Sequence, residues 1–109
     1  MDSVKIKTVF GSETVIFNLK VLTVAQENKI RAATFDLKES EKSEKENANI
    51  ISALSEYAEN SKVEIIGEES SKLVEVTDYF KDLTAAKERI AHVVFRSWFV
   101  SMIPEVSFL

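Results

Sequence analysis

Between Ile90 and Ile103 the chain reads IAHVVFRSWFVSMI, and only His92, Arg96, Ser97 and Ser101 in that run are polar. On a helical spiral, Arg89, His92 and Arg96 fall on one narrow strip. Ile90, Val93, Val94, Phe95, Trp98, Phe99 and Met102 wrap most of the remaining circumference. A surface helix ordinarily carries an apolar stripe over about a third to a half of its circumference. This one needs cover on more than one side. Either it is a core helix enclosed by its own chain, or one side packs the core and the other meets a partner or a second copy. The chain has 109 residues, enough for one domain and one core, which limits the area available for enclosure. Tryptophan and phenylalanine are also enriched in interface hot spots. Phe95, Trp98, Phe99 and Met102 are therefore the candidate partner-binding residues. After Pro104, the apolar tail Val106-Ser107-Phe108-Leu109 is either tucked into a groove or offered to a partner.

The rest of the chain predicts an α+β fold. Val4, Ile6, Thr8 and Phe10 alternate with Lys5 and Lys7, and Val15, Phe17, Leu19 and Val21 alternate with Ile16, Asn18 and Lys20. Both runs have the period of a half-buried strand, and Gly11-Ser12-Glu13 between them reads as the turn of an antiparallel hairpin. Thr23 and Gln26 have capping-box spacing, so a helix is expected from Val24 to about Leu37. Residues 36–46 are almost all charged or serine and read as an exposed connection. Ser43 and Glu46 offer a second capping box for a helix over Glu44 to Glu59, with Asn60 as its C-cap. The runs 63–66 and 73–76 around Gly67 predict a second, shorter hairpin, and Asp78 to Leu83 a helical turn or two. Thr84 is the expected N-cap of a last helix, Ala85 to Met102, closed by Pro104. One domain over 1–109 is expected, with three main helices.

Composition excludes several kinds of chemistry. Without cysteine there are no disulfides and no thiolate ligands, and a single histidine cannot build a zinc site. His92 has Glu88 one turn before it, a spacing that marks a solvated helix face more often than a catalytic pair. The paired acids Glu39-Glu41 and Glu68-Glu69 fall in connections, and no Gly-rich phosphate cradle occurs. A non-catalytic protein without cofactor or metal is expected. The net charge is −4, with lysines interleaved among the acids, so nucleic-acid binding is not expected. No apolar stretch reaches the ~20 residues of a bilayer span, and no secretory signal is evident at the N-terminus, so a cytoplasmic location is expected.

The run VIFNLKVLTVAQENKIRAA, Val15 to Ala33, resembles the opening of tail assembly chaperones from long-tailed bacteriophages: a short β segment, a Leu-Thr step (Leu22-Thr23) and a helix. VEIIGEESSKLVEV, DYFKDLTAAKERI and the closing apolar helix look like the second half of those proteins. The resemblance implies a protein of the infected host's cytoplasm that coats the tape measure protein, or another tail component, through apolar helix surface. It carries over no catalytic residues. Self-association also suits a chain with so apolar a helix. A small structural virion or tail-completion protein, and an acidic inhibitor of a host protein, are the other readings left open.

Overall fold

The alternating runs pair as their spacing requires. The computed structural model describes residues 2–104, and the apolar tail 106–109 therefore lies outside the described residues. Strands β1 (Ser3–Phe10) and β2 (Glu13–Lys20) form an antiparallel hairpin with Val4 opposite Leu19, Ile6 opposite Phe17 and Thr8 opposite Val15. Gly11 takes a φ of 63°, the left-handed value needed at the first position of a two-residue type II′ loop. Strands β3 (Lys62–Ile66) and β4 (Ser71–Glu75) form the second hairpin. The two hairpins join through Thr14–Ile16 and Glu64–Ile66, giving one antiparallel sheet in the order β1-β2-β3-β4.

Four helices cover one face of this sheet: α1 (Val24–Ala33), α2 (Asn47–Tyr57), α3 (Val76–Tyr79) and α4 (Ala85–Ser101). The covered face carries Val4, Ile6, Val15, Phe17, Leu19, Val63 and Ile65, all buried in one apolar cluster with the helices. The alternate residues Lys5, Lys7, Ile16, Asn18 and Glu64 form the open face.

Helix starts follow the capping chemistry. Thr23 Oγ1 accepts from Gln26 N at 3.2 Å while Gln26 Oε1 accepts from Thr23 N at 2.9 Å, and Thr84 Oγ1 accepts from Lys87 N at 3.2 Å. Helix ends differ from the spacing-based expectation. Helix α1 stops at Ala33 rather than Leu37, because Thr34 leaves helical geometry and its buried hydroxyl donates to Ile30 O at 2.6 Å. That break turns Phe35 toward Phe95 and Phe99, with ring centroids 5.4 Å and 5.6 Å away. The charged stretch folds into a 3-10 turn (Glu39–Glu41) and a π turn (Lys42–Glu46). Consequently α2 begins at Asn47, without a side-chain hydrogen bond at its cap. It ends at Tyr57, because Ala58 extends to bridge Leu19 of β2. Asn60 is therefore not its C-cap; Asn60 and Ser61 lie beyond, both with left-handed φ.

Candidate protein-binding surface

The last helix is where spacing placed the working residues, and the fold encloses them. Phe95 and Trp98 have no exposed area, Phe99 is 8% exposed, and Met102 packs half-buried against the same cluster. The Trp98 ring meets Tyr57, Phe95 and Phe99 at centroid distances of 5.9, 6.1 and 5.5 Å. Its indole Nε1–H donates to Lys20 O at 2.9 Å, which satisfies the one polar atom buried with the ring. Leu22 N donates to Met102 Sδ at 3.4 Å. Phe95, Trp98 and Phe99 hold α4 to β2, α2 and the segment around Phe35 and are too enclosed to be the docking surface expected of them, while Met102 stays half-buried beside a surface groove. The physical reason is coverage. The eight-residue strands of the first hairpin, together with Tyr57 and Phe35, supply more enclosing area than helix spacing alone suggested.

The exposed apolar side of α4 is a different one. Val93 is 53% and Val100 65% exposed. Seven residues apart, they stand almost directly above one another on the helix surface. Ala86, a further seven residues back, is half-buried on the same side, and the exposed Arg89 and Arg96 border the line along one edge. At the N-terminal end the ridge meets the tip of the first hairpin, where Phe10 is 60% exposed. An open cavity of about 190 Å³ there is bounded by Phe10, Val9, Thr8, Arg89, Ile90 and Val93. Beyond Val100, Ile103 is 69% exposed beside a shallow groove lined by Val21, Leu22 and Met102. The ridge runs the length of a 17-residue helix, roughly 25 Å at the α-helical rise. The signal for it was present in the sequence: the heptad step from Ala86 through Val93 to Val100.

The polar strip proposed from spacing divides. Arg89 and Arg96 face solvent, whereas His92 Nε2–H donates to Asn47 Oδ1 at 2.6 Å and ties α4 to the start of α2. Burial, reinforced by Glu13, raises the Tyr79 hydroxyl above its ordinary pKa. Burial and the charge of Glu56 do the same for Tyr57. Lys87 Nζ donates to Tyr79 O at 2.7 Å and lies 4.6 Å from that ring's centroid. Among the described residues no group of three or more His, Asp or Glu side chains could hold a metal ion, and no helix is long and apolar enough to cross a membrane.

On the open sheet face a depression of about 250 Å³ is lined by Lys5, Ile16, Asn18, Lys62, Glu64 and Leu73. Asn18 Nδ2 donates to Glu59 Oε2, and Asn18 Oδ1 is buried without a partner. Comparison with protein-family models, with curated proteins and with solved structures gives no match.

Proposed function

We propose that this protein acts by binding rather than by catalysis, holding an amphipathic helix of another protein along the outer ridge of α4. The observation that carries this reading is the line Val93–Val100, exposed over more than half its surface and bordered on one side by Arg89 and Arg96. An apolar line edged on one side by two guanidinium groups fits a helix whose own apolar stripe is edged on one side by carboxylates. The resemblance of Val15–Ala33 and of the later segments to phage tail assembly chaperones supports a specific partner, the tape measure protein, in the host cytoplasm. A chaperone for a long helix needs modest affinity per copy and good solubility. A ridge of valines with a net charge of −4 suits both.

The test is co-expression with a helical fragment of a phage tape measure protein. The fragment is expected to become more soluble and to co-purify. V93D and V100D are each expected to weaken the complex at least about tenfold, because a carboxylate there must lose its hydration against the apolar stripe of the partner helix. Unchanged solubility together with no co-purification rules out the tape measure as partner. Binding that survives both substitutions removes the ridge as the contact.

A further inference from the structure

The second unpartnered surface is the open face of the sheet, and its charges are sorted by strand. On β1 and β2 it carries Lys5, Lys7 and Lys20, with Glu59 reaching in from the turn before β3 to Asn18; on β3 and β4 it carries Glu64 and Glu75, with Lys62 opposite Glu75. Between the two halves lie Ile16 and Ile66, half-buried, and at the β4 edge lies Leu73, 66% exposed. The strand register places Lys7, Ile16, Glu64 and Leu73 in one row across the sheet. Lys7 and Glu64 are thus two strand spacings apart, about 10 Å, and form no ion pair with each other within one copy. The ion pairs Arg31–Glu27 and Lys42–Glu39 lie in the helical layer and its connection.

We propose that two copies of this chain associate through these open faces, with β1 of one copy over β4 of the other. A face whose cationic half complements its own acidic half fits a second copy better than a uniformly charged ligand. The pattern also selects the symmetry axis. A two-fold axis along the strands inverts the row, so Lys7 comes over Leu73, one strand from Glu64, and Lys5 comes over Glu75. A two-fold axis across the strands sets β1 on β1 and brings lysine onto lysine, which repulsion disfavours. Strand spacing and rise give the face roughly 400 Å² per copy. An interface so small makes a weak, salt-sensitive dimer rather than an obligate one. The inference does not depend on the reading of the α4 ridge. If both hold, the dimer offers two ridges to one long partner, with a gain in avidity.

Sedimentation equilibrium of the full chain tests it, at low salt, from about 10 µM to about 1 mM, where interfaces of this size associate. A reversible monomer–dimer equilibrium is expected, weakened at least about tenfold by K7E. The charge-reversed double variant K7E/E64K is expected to return to within about threefold of the parent, because the complement is restored across the two-fold axis. V93D is expected to leave the equilibrium unchanged. A parent chain that stays monomeric over the whole range overturns the proposal, as does a dimer indifferent to K7E or a double variant no tighter than the single.

Discussion

Trp98 shows how one side chain can look like an anchor for a partner and serve as an anchor for the fold. Its ring is wholly enclosed among Tyr57, Phe95 and Phe99, and its N–H is satisfied by the last carbonyl of β2. Removing the ring leaves a cavity that the surrounding strands and helices cannot fill by relaxation alone. W98A is therefore expected to cost about 3–5 kcal/mol in denaturant unfolding. W98F keeps most of the volume but strands the Lys20 carbonyl, for about 1–3 kcal/mol. By contrast, V93D and V100D change exposed positions and are expected to shift unfolding by no more than about 0.5 kcal/mol. This separation of stability from binding distinguishes the core side of α4 from its ridge. A W98A variant with parent-like stability would contradict the enclosure.

At the scale of elements, local chemistry governs where helices begin and tertiary contacts govern where they end. Thr84 caps α4 through Lys87 N in a solvent-exposed turn. T84A is expected to lower stability by about 1 kcal/mol and T84S by only a few tenths, read from paired denaturant curves. Equal losses in the two variants would mean that the hydroxyl bond contributes little. The ends of α1 and α2 obey different forces. The buried Thr34 breaks α1 so that Phe35 can join the aromatic cluster, and Ala58 leaves α2 to bridge β2. The end of α2 is set by a contact 39 residues away, with no local signal, whereas the end of α1 combines the local Thr34–Ile30 bond with the distant ring contacts of Phe35. The seven-residue recurrence of Val93 and Val100 was local and legible. It was masked by the bulk of the neighbouring aromatics, which draw any composition-based reading toward themselves.

The whole molecule is a two-layer slab, 45 × 43 × 24 Å, with apolar contacts between the layers and charge on the open sheet face. Its alkaline limit follows from the tyrosines in that contact. Burial raises the pKa of both Tyr57 and Tyr79, with Glu56 and Glu13 adding to it. In the unfolded chain these groups ionise near the ordinary value of about 10. Stability from this source is therefore complete below about pH 10 and is lost as pH climbs through the higher folded value. Melting temperatures measured between about pH 8 and pH 11 are expected to fall less steeply for Y79F than for the parent. E13Q is expected to fall between the two, because it removes a charge that opposes ionisation of Tyr79 but leaves the burial. Parallel curves for all three proteins would show that Tyr79 does not govern the alkaline limit.

The sequence by itself determined the α+β class, the two hairpins, the caps at Thr23 and Thr84 and the apolar character of the last helix. Each of these rests on periodicity or on hydrogen bonds between residues a few positions apart. Only the tertiary structure decided which side of that helix faces water. Enclosure depends on what is packed alongside: Lys20 lies 78 positions from Trp98 in the chain, yet its carbonyl meets the indole. The sorting of charge on the open sheet face was likewise decided by strand order. Alternation puts Lys7 and Glu64 on the outer side of their own strands, but only the pairing of β2 with β3 sets them in one row.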